Sequence, residues 1–475
     1  MTAHIDSGVT PSSTIHLAPD RRLRLPALVS LIFFTTCGGA FALEPLIGAV
    51  GPGLAVVLIL LTPFVWSLPM ALMVAELTAL MPEEGGYYIW VREALGPFWA
   101  VQEAWWSIAA AVVLVASFPV LFVTYLTYFV PALAPAADHS LAGPFLRWLI
   151  AVFVIACGAM LNLRGAREVG GAAKIGVAGV LSAFVLLVLV WWKHAAAHNA
   201  PLRVITADLS SHRHGALLLG LSFIIYNYSS WDAVPTYAGE VDQPQRNYPR
   251  AIGIGLVMAV LSYLLPVLAG ISVTSDPAVW SSDAGWPVIA RLIGGPWLGA
   301  LLAAAGMLSM WSLFNGILLY VSRLPYVMAC DGWLSPALAH VTPDSAVPKL
   351  AVVGLAALAA AFSALSFGGL ALIQCLLYAA SLALEFLALV ILRVRRPDAP
   401  RSFRVPGGWL GLAYVCLTPM AFIALVAVVT LRDWRSYSEQ LLVVGMAVVS
   451  GLVLYFLRRG IAATISSTAK PTGSS

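Results

Sequence analysis

Apolar runs long enough to cross a bilayer recur along nearly the whole of this 475-residue chain. A membrane-spanning helix needs about 20 largely apolar residues. We predict twelve such spans, near residues 26–50, 54–80, 97–130, 144–163, 170–193, 215–238, 250–272, 297–322, 349–366, 369–392, 409–431 and 438–457. Only 10% of the residues are charged, whereas soluble domains carry about 25%. The chain is therefore predicted to be an all-α polytopic membrane protein.

The distribution of basic residues predicts how the chain is oriented. When the N-terminus is placed inside, 19 of the 26 Lys and Arg residues lie in cytoplasmic segments and 7 lie outside. Short cytoplasmic segments of membrane proteins are enriched in such residues. We expect a multi-pass protein of the cell membrane, plasma or inner, with both termini in the cytoplasm. The net charge of +4 requires no nucleic-acid partner.

The sixth span loses its apolar character halfway along its length. Polar residues begin at Asn227, and the carboxylate Asp232 and then Pro235 follow within the same predicted span. Backbone polar groups in hydrocarbon need partners, so such an interruption is tolerated only against protein or a water-filled cavity. An ionisable residue inside the membrane is by default a candidate functional residue. We predict a broken helix here, with Asp232 facing a substrate site.

The first span has its own interruption, in the sequence TTCGGAFALEP. Gly38 and Gly39 let the backbone leave helical geometry, although a glycine pair can also serve only to let a neighbouring helix approach closely. Glu44 favours a break, because a half-helix that starts near Ala40 places this carboxylate at its positive N-terminal end.

Three further carboxylates are candidates for proton coupling: Glu76 in the second span, Glu103 in the third and Glu385 in the tenth. Each has a structural alternative. Glu76 could pair with Arg92 or another inner-side base, Glu103 could be an interfacial carboxylate, and Glu385 could pair with Arg393 or Arg395.

The interrupted spans are the first and the sixth, which are corresponding members of two five-helix sets. This arrangement is typical of inverted-repeat secondary transporters, whose site lies at the membrane midplane. A channel is not favoured, because the sequence has no filter-like motif. An enzyme is not favoured either, because there is no metal-ligand set, phosphate loop or nucleophile elbow. We expect no cofactor, no metal and no disulfide framework from the five scattered cysteines.

The predicted organisation has five parts. They are an N-terminal tail (1–25), a ten-helix transport core (26–392), a cytoplasmic loop (393–408), two additional spans (409–457) and a C-terminal tail (458–475). The two additional spans carry no ionisable residue in their interiors, which suggests a scaffold or a homodimer contact.

Several long stretches resemble the amino acid–polyamine–organocation transporter superfamily, and within it the plant-type polyamine uptake transporters. They are GGAFALEPLIGAVGP, PFVWSLPMALMVAEL, MPEEGGYYIWVREALGPFWA, NYSSWDAVPTYAGEV and LEFLALVILRVRRPDAPRSFRVP. The resemblance implies a LeuT-type fold of about twelve helices, in a five-plus-five inverted repeat with helices one and six broken. It also implies uptake of a cationic polyamine driven by protons.

The resemblance extends to individual positions. Gly38 and Gly39 match the family's unwound glycines, and Glu44 matches the acid that follows them. Trp231 and Asp232 match its Trp-Asp pair, and Glu76 and Glu385 match its acids in helices two and ten. This chain departs from the pattern at three positions. Pro45 replaces a second acid, Glu103 replaces a usual amide, and apolar Val180 lies near the place where some superfamily members have a coupling lysine.

Carboxylates near the starts of both half-helices would repel an anionic group and attract ammonium groups. Aromatic side chains such as Tyr226 could add cation–π contacts. The predicted substrate contacts are Gly38, Gly39, Glu44, Tyr228, Trp231 and Asp232. We expect import of a small organic cation, putrescine or spermidine, by proton symport. The alternatives are an amino-acid permease or exchanger, for cationic amino acids first, and a non-transporting sensor or a subunit that needs a partner chain.

Overall fold

The computed structural model describes residues 22–83, 85–134, 142–198, 214–280, 285–343, 345–365, 367–432 and 434–468. These residues form helices and no named strand. The α-helices are α1 (Leu25–Thr36), α2 (Glu44–Thr62), α3 (Leu68–Leu80), α4 (Tyr87–Leu95), α5 (Pro97–Leu126), α6 (Ala142–Asn162), α7 (Ala166–His198), α8 (His214–Asn227), α9 (Pro244–Val273), α10 (Pro277–Trp280), α11 (Gly285–Gly294), α12 (Pro296–Val321), α13 (Arg323–Cys330), α14 (Lys349–Phe362), α15 (Phe367–Arg395), α16 (Gly408–Arg432) and α17 (Ser438–Thr468). A π-helical turn (Pro63–Ser67) joins α2 to α3, and 3-10 turns lie at Pro131–Leu133, Val234–Glu240 and Pro336–Ala339.

Within the described residues, nine helical stretches are long and apolar enough to cross a membrane, and α1 and α14 are shorter apolar helices. The prediction of an all-α polytopic membrane protein is therefore confirmed. The count of twelve spans and the inverted repeat stay predictions. Most of the predicted N-terminal tail and the end of the C-terminal tail lie outside the described residues.

Glycine and proline mark where several helices begin. Gly96 and Gly295 precede the first prolines of α5 and α12 with φ angles of 88° and 86°. Proline at a first helical position gives up an amide that would have no helical partner there. Inside α2, Gly51 has a φ of 75° and separates the short outer part, residues 44–50, from the long helix that follows.

The long helices divide into a buried centre and a periphery. Each long helix contains an apolar stretch of 18 residues. The buried share of that stretch is 72% in both α5 and α12, but 22% in α16 and 11% in α17. Helix α5 packs against α4, α12 and α15, while α1 packs against α7, α9 and α12. The division into a transport core and two added helices stays a prediction. A homodimer through those two helices stays a prediction.

A buried ion pair lies at the predicted cytoplasmic end of the core. The Arg323 guanidinium contacts the Glu240 carboxylate at 2.7 Å, and both side chains are fully buried. The segment before α1 is attached at the same place, because the Leu23 amide donates to the Glu240 carbonyl at 2.8 Å and the Asp242 amide donates to the Leu23 carbonyl at 3.0 Å. These contacts hold the start of α1 against the end of the 3-10 turn Val234–Glu240.

Candidate substrate site

The first interruption separates α1 from α2 between Thr36 and Glu44. Gly38 and Gly39 have φ angles of 70° and 90°, and Ala42 has a φ of 66°. Residues with a side chain rarely adopt such positive φ values, whereas glycine adopts them readily. The break that the sequence predicts in the first span is present.

The carbonyl groups left without helical partners by this break accept hydrogen bonds from other helices. The donor–acceptor pairs are Tyr263 to Cys37 (3.2 Å), Ser309 to Gly38, Trp286 to Ala40 (2.7 Å) and Asn227 to Ala42 (3.0 Å). Because hydrocarbon offers no donor, these bonds are what allow an unwound segment at this depth.

The second interruption runs from the end of α8 at Asn227 to the 3-10 turn that begins at Val234. No glycine lies within it, and the left-handed residue is Ser230, with a φ of 66°. The Asn227 side chain donates to the carbonyl of Ala42, and the Tyr263 hydroxyl donates to the Asn227 carbonyl at 2.5 Å. Since the same hydroxyl lies near the first break, the two interruptions are tied directly together.

A small cavity of about 20 Å³ lies between the two interruptions. Side chains and backbone from both breaks, α5 and α12 line it: Thr35, Thr36, Cys37, Phe41, Ala42, Leu114, Phe118, Tyr226, Asn227, Ser230, Met310 and Leu313. One water needs roughly 10–15 Å³ of such space. The cavity therefore has room for about one water, and this conformation is closed around it.

Asp232 lies within the second break and is buried. The Tyr378 hydroxyl of α15 donates to its carboxylate, and the same hydroxyl accepts a hydrogen bond from the Ser230 amide at 2.9 Å. Tyr378 thus connects the left-handed residue of the break to the acid. Sequence reasoning missed Tyr378, although its position seven residues before Glu385 puts both on one helix face.

Glu103 and Glu385 are buried close enough to Asp232 to interact with it electrostatically. Glu103 accepts a hydrogen bond from the Ser107 hydroxyl at 2.8 Å, while its second oxygen has no hydrogen-bond partner in the described part of the chain. Both oxygens of Glu385 are likewise buried without a hydrogen-bond partner among those residues. Among the described residues, none of these three carboxylates forms an ion pair with a basic side chain. The carboxylate cluster (Glu103, Asp232 and Glu385) can therefore be neutralised only by protons or by a cation that enters the site.

Glu44 lies apart from the carboxylate cluster, at the start of α2 on the predicted outer side. Its carboxylate accepts hydrogen bonds from the Tyr125 hydroxyl at 2.8 Å and from the Trp286 amide at 3.4 Å. One of its oxygens is buried with no hydrogen-bond partner among the residues that the structure describes. Helix α11, which carries Trp286, covers this end of the site.

Glu76 occupies a different environment. Its carboxylate contacts Arg393 at 2.5 Å and Arg401 at 2.6 Å, and it accepts a hydrogen bond from the Val405 amide at 2.7 Å. The inner-side bases that pair with Glu76 are therefore these two arginines. Arg393 is occupied by Glu76, so the structure does not pair it with Glu385.

Tyr226, Tyr228 and Trp231 lie in or next to the second break, and their side chains have different surroundings. Tyr226 lines the cavity, and its hydroxyl lies 2.6 Å from that of Ser117. The Tyr228 hydroxyl instead donates to the Ile59 carbonyl at 3.2 Å. Trp231 is buried beside Gly255 of α9. Neither Tyr228 nor Trp231 is among the described residues that line the cavity.

We expect Gly39→Ala to destabilise the fold by about 1–2 kcal/mol, because a Cβ disfavours the left-handed backbone. That Cβ would also lie 2.8 Å from Val180, so the valine must move. A change in unfolding free energy in detergent is the measurement. Gly171→Ala is the matched control, since a Cβ there meets nothing within 4 Å and should stabilise α7 by about 0.5–1 kcal/mol. Equal effects at both sites would contradict the requirement for glycine at position 39.

The chain can now be compared with known proteins. The model of the family described as amino acid permease matches residues 23–449. The chain belongs to the amino acid permease family. The permease is 35% identical over 421 residues to the polyamine transporter PUT1 of Oryza sativa subsp. japonica, which covers 88% of this chain and 75% of that one.

Two relatives from Arabidopsis thaliana are similarly related to the permease. The polyamine transporter RMV1 is 32% identical over 451 residues, which covers 93% of this chain and 89% of that one. A probable polyamine transporter is 31% identical over 430 residues, which covers 90% and 83%. The expected membership of the amino acid–polyamine–organocation superfamily, with its likeness to plant polyamine transporters, is confirmed. The permease is a multi-pass membrane transporter.

Proposed function

We propose that this permease imports a polyamine, putrescine or spermidine, by proton symport across the cell membrane, with both termini in the cytoplasm. The observation that carries the proposal is the carboxylate cluster, which is buried beside a helix break and has no basic partner among the described residues. A buried unpaired charge is very costly. A site built this way favours a cationic substrate and disfavours a carboxylate-bearing one.

Asp232 and Glu44 are the proposed ammonium partners. Asp232 follows the cavity-lining Ser230 by two residues, and its carboxylate is held by a hydroxyl that an arriving ammonium group could replace. Glu44 lies beyond Phe41 and Ala42, the cavity-lining residues that precede α2. Two acids in the segments that continue from the cavity-lining residues would suit a flexible alkyl chain with an ammonium group at each end.

The remaining predicted contacts take supporting roles in this proposal. Gly38 and Gly39 give the first break the turn that opens the space around the substrate. Tyr228 and Trp231 hold the second break against the helices behind it, since their contacts lie outside the cavity.

Glu103 and Glu385 are the proposed proton carriers, because each has an oxygen without a hydrogen-bond partner and each interacts with Asp232. Protonation of either one would lower the negative charge around Asp232. Glu76 is also a candidate, but Arg393, Arg401 and the Val405 amide hold its carboxylate in place, so we propose a structural role for it.

The relatives support the cationic substrate, since all three described above carry names as polyamine transporters or probable ones. An amino acid is the second candidate, because the matching family is described as amino acid permease. Uptake of labelled spermidine into proteoliposomes, in competition with putrescine, arginine and leucine, separates the two. We expect inhibition by putrescine and little by leucine. Strong inhibition by leucine and none by putrescine would overturn the polyamine proposal.

Glu385→Gln should uncouple uptake from the proton gradient. The amide keeps the shape of the side chain but cannot exchange a proton, so an inward proton gradient should accelerate uptake several-fold less than in the wild type. The measurement is uptake by proteoliposomes with and without an imposed pH difference. Glu439→Gln, on an exposed glutamate at the start of α17, is the control and should respond like the wild type. An unchanged response in Glu385→Gln would exclude this residue as the carrier.

A further inference from the structure

An apolar cleft of about 400 Å³ lies between α7 and α9, on the outside of the core. Its walls include Phe184, Val185 and Leu189 of α7, and Leu261 and Leu265 of α9. The cleft shares no residue with the cavity between the two breaks. It therefore requires an explanation of its own.

The mouth of the cleft faces hydrocarbon. Val185 and Leu189 are 57% and 59% exposed, and Leu261 and Leu265 are 50% and 48% exposed. Further along α9, Val257 continues the same exposed apolar stripe. Both helices meet the length and hydropathy needed to span a membrane, so the molecules that surround this opening are lipid chains.

The floor of the cleft touches the first helix break. The Phe184 ring packs on Phe41 of the break, with ring centroids 4.8 Å apart. The Ser262 hydroxyl lies 3.2 Å from the Cys37 sulfur. One layer of side chains thus separates the lipid-facing cleft from the unwound backbone.

The chemistry of the floor leaves an apolar surface for an occupant. Among the described residues that line the cleft, Ser262 is the one that carries a hydroxyl group. Its hydroxyl already donates to the Ala259 carbonyl at 2.9 Å and contacts Cys37. Apolar cavities of about 150 Å³ are known to bind molecules as small as benzene. This larger cleft needs no headgroup recognition to be filled.

We infer that an acyl chain of a membrane phospholipid binds in this cleft and stabilises the closed form of the first break. Movement of the break away from its closed position must displace Phe184 or separate Cys37 from Ser262, and either change alters the floor on which the chain rests. The acyl chain therefore binds the closed form of the first break more tightly than the open form. Such a difference in affinity is the condition for a ligand to shift the equilibrium between two forms. This inference is independent of which solute the permease carries.

Binding is tested with a phosphatidylcholine that carries a photoactivatable diazirine on its acyl chain, in nanodiscs of the full chain. We expect cross-links on the cleft residues of α7 and α9. Leu261→Trp, which fills the cleft, should reduce them at least fivefold. Val257→Trp is the matched control, because it lies on the same stripe outside the cleft and should leave them unchanged. Cross-links spread evenly along α7 and α9, or equal yields in the two variants, would overturn the site.

Coupling to the break is tested by the rate at which a small maleimide alkylates Cys37, measured on its peptide by mass spectrometry. We expect the wild type and Val257→Trp to react at least threefold faster after delipidation in detergent than in nanodiscs. Leu261→Trp and Leu265→Trp should react slowly in both, because the indole replaces the chain. Equal rates with and without lipid in the wild type would overturn the coupling, and this comparison holds even if neither filling variant folds.

Discussion

Asp232→Asn is expected to reduce spermidine uptake about 100-fold while the protein remains folded. Removal of one partner from a buried charge pair costs about 2–5 kcal/mol, and the amide removes the charge while keeping the size of the side chain. The amide oxygen can still accept the Tyr378 hydrogen bond, so the second break should keep its shape. The measurement is initial uptake rate by proteoliposomes, normalised to folded protein.

The control for this loss is Asp276→Asn, which removes an exposed carboxylate that accepts a hydrogen bond from the Ala278 amide at 2.9 Å before α10. Its uptake should stay within twofold of the wild type. If Asp232→Asn transported spermidine at near wild-type rates, Asp232 would not be the ammonium partner.

Arg323→Met is expected to destabilise the fold by about 3–5 kcal/mol, because it leaves the Glu240 carboxylate buried without its partner. Both side chains of this pair are fully buried, so water cannot take over the role of the guanidinium. The free energy of unfolding in mixed micelles is the measurement.

The double variant Arg323→Met with Glu240→Gln should recover most of that loss, since no unpaired charge then remains. Arg396→Met is the matched control. Its partner Glu93 is 2.7 Å away, but the two side chains are 47% and 35% exposed, so the expected change is about 0–1 kcal/mol. Equal losses in Arg323→Met and Arg396→Met would contradict the importance of burial.

The class of the protein and the places where helices break could be predicted from sequence, because both follow from local patterns. An apolar run of about 20 residues is the length of a membrane-spanning helix, and Gly38, Gly39 and Asp232 interrupt such runs visibly. Ser230 was less evident, since its left-handed backbone is imposed by contacts with Tyr378 rather than by its own preference.

The partners of individual charges could not be predicted, because they depend on how distant helices pack. From the sequence alone, either Glu76 or Glu385 could have formed an ion pair with Arg393. The loop that contains Arg401 and Val405 packs onto α3, where both residues contact the Glu76 carboxylate. Arg393 forms its ion pair with this same carboxylate. Glu385 is left without a basic partner among the described residues, and that difference separates a structural acid from a candidate transport residue.

The hydrogen bonds that hold the first break have a consequence for biogenesis. The hydrogen-bond donor of the Ala42 carbonyl, Asn227, is synthesised 185 residues later. The donor of the Gly38 carbonyl, Ser309, is synthesised 271 residues later. A ribosome adds roughly 5–20 residues each second, so these carbonyls lack their native donors for about ten seconds or longer. During that interval the first span must remain a continuous helix, lie in a wetter environment or be shielded by the insertion machinery. The unwound form is thus a late product of assembly, completed only when α12 has entered the bilayer.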